Sequence, residues 1–127
     1  MSYRIEEKWG LAAELGFTQF PDLLLKAQRT LGISPTEFNV LMNVVSFWWA
    51  AEDLPFPSAN GVANRIGMQP RTVRNALKGL EAKGLLIRSA IKGRGAGRHE
   101  FDLSPLVERL NDIASRDAKY LSRKDSK

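Results

Sequence analysis

Between residues 59 and 84 the apolar positions return every third or fourth residue, and glycine and proline punctuate the pattern. Ala59, Val62, Ala63 and Ile66 fall on one side of a short helix that Ser58 is placed to cap and Gly67 to end. A second helix is predicted over 70–83. Gln69 is a weak cap, Pro70 takes the first helical position, where its missing N–H costs nothing, and Gly84 closes the far end. Two helices joined by about three residues make a helix-turn-helix. On the second of them Val73, Ala76, Leu77 and Leu80 follow i, i+3, i+4, i+7. Arg71, Arg74, Asn75 and Lys78 repeat that spacing roughly 200° around the axis, so burial of the first set points the second outward.

Past Gly84 the helical period gives way to extended runs. LLIRSAI at 85–91 and HEFDL at 99–103 flank the glycine-rich KGRGAGR at 92–98. Short apolar stretches around such a connection predict an antiparallel hairpin with a long tip, a wing.

Upstream, Ser34, Pro35 and Glu37 form a capping box with proline at the first position, which opens a helix expected over 35–51. It carries two apolar stripes, Phe38, Leu41, Met42, Val45, Trp49 and Val40, Val44, Phe47, Trp48, Ala51. Only Glu37, Asn39, Asn43 and Ser46 are left for a polar side. A helix so apolar must be covered twice, by the rest of the chain or by a second subunit. Before it, 17–20 is expected to be extended, since Phe20 precedes a proline, and 21–31 helical with Gly32 beyond its end. Tyr3, Ile5, Trp9, Leu11 and Leu15 supply one or two amphipathic turns, broken at Gly10 and Gly16. Residues 52–57 (EDLPFP) form an extended connector that is a candidate to pair with the hairpin. Ser104 and Pro105 start a last helix to about residue 120, ahead of a frayed SRKDSK-type end.

Charge sharpens this outline. Residues 56–98 hold nine Lys and Arg against the single acid Glu81, a net of +8, while the remainder carries −3 of the chain's +5. A cationic surface this concentrated suits an anionic partner. The 127 residues fit one domain able to bury a core without cross-links: an extension at 1–20, a core at 21–103, and a C-terminal helix and tail at 104–127. With no cysteine and no charged-then-apolar leader, the expected location is the cytoplasm. No apolar run approaches the ~18 residues of a membrane helix.

The order helix, turn, helix, hairpin, in the wording FPSANGVANRIGMQPRTVRNALKGLEAKGLLIR, resembles winged helix-turn-helix domains of plasmid and phage replication initiators, primosomal DnaD-like proteins and small prokaryotic regulators. The lead-in FTQFPDLLLKAQRTLGIS is similar to theirs as well, so the likeness spans about residues 20–103. It implies a mainly α fold with a small β-hairpin, a winged helix-turn-helix with additional N- and C-terminal helices. The implied role is DNA binding in transcription regulation, DNA replication or plasmid maintenance. In DnaD-like relatives the resemblance also implies an alternative, in which the domain serves protein–protein assembly.

If the helix over 70–83 enters the major groove of double-stranded DNA, Arg71, Arg74 and Asn75 are the candidates for base contacts, because arginine pairs bidentately with guanine and asparagine with adenine. Ser58, Asn60, Gln69, Thr72 and Lys78 are placed for phosphates. Lys92, Arg94 and Arg98 would ride the wing to the backbone or into the minor groove. A homodimer on a palindromic site is expected if the helix over 35–51 or the terminal helix pairs with its copy.

Catalytic chemistry is hard to build from these residues. His99 is the sole histidine and lies beside the wing tip. A histidine-based metal cluster is thereby excluded, and any Ser-His-acid triad would have to assemble around a hairpin strand. Gly93, Gly95 and Gly97 do not form a nucleotide loop, which would lie between strand and helix and end in GK[ST]. No enzymatic activity, cofactor or metal is expected.

Overall fold

The capping signals place most helices where the sequence expects them. A computed structural model describes residues 4–91 and 99–117. Two short turns, α1 (Ile5–Trp9) and α2 (Leu11–Glu14), precede α3 (Asp22–Lys26) and α4 (Gln28–Leu31). The expected single helix over 21–31 is thus two. At Ala27 the backbone leaves the helical region (φ −99°, ψ 8°), and the Gln28 side-chain amide donates to the Leu25 carbonyl at 3.0 Å.

Helix α5 (Pro35–Val45) opens on the capping box: Ser34 Oγ accepts from the Glu37 N–H at 3.1 Å, and the Glu37 carboxylate accepts from the Ser34 N–H at 2.9 Å. It stops at Val45, not at Ala51 as expected. The Ser46 hydroxyl donates to the Asn43 carbonyl at 2.6 Å, while Phe47 and Trp48 donate to Val44 and Val45, three residues back. These bonds tighten the last turn and end the ladder. Ala50 and Asp53 then form an isolated antiparallel bridge. The chain itself covers most of both stripes, since Val40, Leu41, Val44 and Val45 are buried and Phe38, Met42 and Trp48 pack against the same core, but Phe47 and Trp49, past the end of the helix, stay exposed.

Helices α6 (Ala59–Ile66) and α7 (Pro70–Ala82) follow, α7 packing on both α5 and α6. Ser58 caps α6 through its hydroxyl oxygen, which accepts from the Gly61 N–H at 2.9 Å. Gly67 ends α6 in the left-handed region (φ 72°), so that its own N–H and that of Met68 reach the Ala63 carbonyl and the chain turns within three residues. Val73, Ala76, Leu77 and Leu80 are buried, which fixes the rotation of α7. Each large apolar side chain among them contributes about 1.5–3 kcal/mol by burial, so a turned helix would lose several.

The hairpin consists of β1 (Ile87–Ala90) and β2 (His99–Asp102), antiparallel with Ile87 opposite Asp102 and Ala90 opposite His99. It begins two residues later than the apolar run, because Leu85 and Leu86 are buried in the core beneath it. The connector meets the hairpin through a backbone hydrogen bond, in which the Phe101 N–H donates to the carbonyl of buried Pro55 at 2.9 Å. Helix α8 (Ser104–Ser115) packs on α3 through an apolar side that includes Leu106 and Leu110. The N-cap position falls on Leu103 and has no side-chain cap, while the Asp102 carboxylate just before it accepts from the Ser104 N–H at 2.9 Å. The helix ends five residues short of the expected boundary. The proposed wing tip at 92–98 and the frayed tail beyond 117 lie outside the described residues.

Candidate nucleic-acid interface

Helix α7 presents its polar side as the spacing requires. Arg71, Arg74, Asn75 and Lys78 are exposed, as is Thr72, while the opposite side is in the core. Gln69 stands at the N-cap position without a side-chain cap bond, and Asn60 is exposed on α6. Ser58 is half-buried and its oxygen is used by the cap, although its O–H is still a donor. Lys92, Arg94 and Arg98 lie outside the described residues.

The tertiary structure divides the nine bases of residues 56–98 into unlike groups. Arg71, Arg74 and Lys78 form no ion pair among the described residues. Arg65 instead lies over the Phe47 ring, 5.1 Å from its centroid, and donates to Ser46 Oγ at 3.4 Å. Arg88 on β1 approaches Glu81 near the end of α7, with Nε 3.3 Å from Oε1 but without hydrogen-bond alignment; its backbone N–H donates to Glu81 Oε2 at 3.4 Å. The hairpin is thereby tied to α7. Lys83 pairs with Glu37 across the α5–α7 contact. Lys83 and Arg88 thus tie elements of the fold together and Arg65 lies over a ring away from α7, a distinction charge counting along the sequence missed.

Glu37 is a charged residue that is buried among the described residues. Burial pushes its carboxyl upward, but the hydrogen bond from Lys83, the Ser34 N–H and the Lys83 charge outweigh this and hold it below its ordinary value of 4.5. A folded-state value below the unfolded one means that the stabilisation is complete above pH 4.5 and is lost as pH falls through the folded value. Glu37→Gln is therefore expected to be less stable than wild type in urea unfolding at neutral pH. The gap should narrow as pH falls below about 4.5; a gap that stays constant across that range would mean that the carboxylate charge contributes nothing.

Gly79 allows this arrangement. A Cβ on it would collide with the Glu37 carboxylate, so α7 passes Glu37 at a point where no larger residue fits without displacement. The signal in the sequence was a glycine inside a strongly amphipathic helix.

His99 begins β2 and is half-buried opposite Ala90, as a strand residue. Among the described residues no group of three or more His, Cys, Asp or Glu is placed to hold a metal ion. No helix among them is long and apolar enough to cross a membrane.

No curated protein matches the chain. The family model for the DnaD N-terminal domain matches residues 20–120, from just ahead of α3 to beyond α8, and so covers the capped α5, the helix-turn-helix and the hairpin together. With most of its length matched, and with the helical fold and small hairpin that go with it, the chain belongs to the DnaD N-terminal domain family, a replication-related one.

Proposed function

We propose that the protein binds double-stranded DNA sequence-specifically and acts as a small prokaryotic, plasmid or phage regulator of replication or transcription. The observation that carries this reading is the exposed side of α7, where Arg71, Arg74, Asn75 and Lys78 are gathered with no ion pair among the described residues, and where the one acid that follows on that side, Glu81, is engaged by Arg88. A merely solvated helix face usually mixes both signs of charge. In this reading α7 lies in the major groove, with Arg74 and Asn75 on base edges, Arg71 beside them, and Lys78, Thr72, Gln69 and Asn60 on phosphates. The reading is non-enzymatic, needs no cofactor, and goes with a cytoplasmic location.

Selection of bound duplexes from a random pool is the test, followed by Arg74→Ala on the recovered site. Losing one bidentate base contact should cost about 1–3 kcal/mol there and little on unrelated sequence. Unchanged affinity for the preferred site would remove Arg74 as a base reader.

A second reading, a protein-assembly module of a replication or partition complex, is favoured by one observation. Trp9, Leu11, Leu15 and Phe17 near the N-terminus are all more than half exposed. An apolar surface of this kind commonly marks a protein contact. Self-association through this surface, through the open aromatic end of the 35–51 segment or through the terminal helix belongs to the same reading. Light scattering at tens of micromolar separates the cases, since a monomer carrying full DNA affinity leaves the dimer out of the mechanism.

A further inference from the structure

A cleft of about 520 Å³ lies between the end of α5, the connector and α6. Its walls include Phe47, Trp49, Leu54, Phe56 and Val62, with Arg65 and Asp53 as its charged lining residues. The volume is that of a small-molecule site, and the lining is mostly apolar with few polar groups, as such sites are.

Two observations define what would fit. The first is aromatic surface left open to water. Trp49 is 87% exposed, although it lines the concavity. Flat rings of this kind gain by stacking on another flat ring. The second is the state of Arg65. Its guanidinium is stacked on Phe47 and gives one long hydrogen bond to Ser46, yet no carboxylate lies within ion-pair distance of it among the described residues. A guanidinium has five N–H donors, so most remain available, in a fork that matches a carboxylate. The Ser58 hydroxyl, which also lines the cleft, keeps its proton to donate because its oxygen is the acceptor in the cap. Asp53 opposes a second negative charge.

The geometry points to a binding site for a small planar aromatic monocarboxylate, its ring against Trp49 and its carboxylate on Arg65. This site does not depend on the DNA-binding reading, because none of its residues lies on α7. Arg65 is exposed, so it can be changed without opening the core.

The test is titration of the isotope-labelled chain with indole-3-acetate, neutral indole, tryptamine and deoxyadenosine monophosphate, followed by amide shifts. Indole-3-acetate is expected to move the signals of residues 47–49, 53–56 and 58–65 saturably and to bind about tenfold tighter than indole, the equivalent of ~1.4 kcal/mol, with tryptamine weaker still. Arg65→Gln should abolish the preference for the carboxylate while leaving indole binding, and Trp49→Ala should weaken both probes. Retained dispersion of the spectra establishes that each variant is folded. The proposal is overturned if indole-3-acetate and indole bind alike, if Arg65→Gln keeps the preference, if the nucleotide binds more tightly than the carboxylate, or if no probe shifts these amides at ~10 mM.

Discussion

Raising the salt from 50 to 200 mM is expected to weaken binding to the preferred duplex about a thousandfold, a log–log slope near −5. The figure comes from the division of cations that the fold imposes. Of nine bases between residues 56 and 98, Lys83 and Arg88 are engaged with Glu37 and Glu81, and Arg65 lies over Phe47 in the cleft beside α6 and not on α7. The six that remain to displace counterions, from phosphate directly or from within a groove, are Arg71, Arg74 and Lys78 on α7 and Lys92, Arg94 and Arg98, which enter as charges carried by the sequence. At about 0.9 counterions released per phosphate neutralised, six contacts give a slope near −5, and nine would give one near −8. Fluorescence anisotropy across a salt series distinguishes these. Lys92→Gln should lower the slope by about one and weaken all sequences alike, as loss of a phosphate contact does. A slope near zero would mean that the cationic side of α7 does not meet DNA, and would favour the assembly reading.

Gly79→Ala is expected to destabilise the protein by about 2–3 kcal/mol, although alanine in a helix interior is normally favoured over glycine by ~1 kcal/mol. The added Cβ would meet the Glu37 carboxylate, with even its Cδ at 3.3 Å. Glu37 cannot simply swing aside, because it accepts from the Ser34 N–H and pairs with Lys83. Displacing it breaks the capping box of α5 and leaves a charge buried without its partner, which outweighs the propensity gain. The diagnostic is a change of sign. In a Glu37→Ala background the obstruction is gone, and Gly79→Ala should stabilise by about 1 kcal/mol. Urea unfolding of the four proteins measures the cycle; equal effects of Gly79→Ala in the two backgrounds would show that the close approach has no energetic consequence.

Legibility followed the range of the interactions. Ser34, Ser58 and Gly67 were readable because each acts on backbone groups within five residues, and the caps formed as expected. The orientation of α7 was readable from Val73, Ala76, Leu77 and Leu80 alone, since one amphipathic period contains both its buried and its exposed side. At the end of α5 the same method overreached. Its apolar period continues to Ala51, but Ser46 and the i→i−3 bonds of Phe47 and Trp48 end the helix at Val45 and turn Phe47 and Trp49 into the wall of a cleft. Periodicity reports what a segment would bury as a helix, and not whether the helix persists.

By itself the sequence determined the helix-turn-helix, its three-residue turn, the hairpin after Gly84 and the cationic side of α7, all products of neighbours along the chain. Only the tertiary structure decided which cations are free. Lys83 meets an acid 46 residues away, Arg65 reaches Ser46 across 19, and Phe101 donates to Pro55 from the far side of the hairpin. No local pattern encodes such contacts, because they depend on how α5, α7 and the connector pack around one core, and that packing turns an undifferentiated basic stretch into structural pairs and an open binding surface.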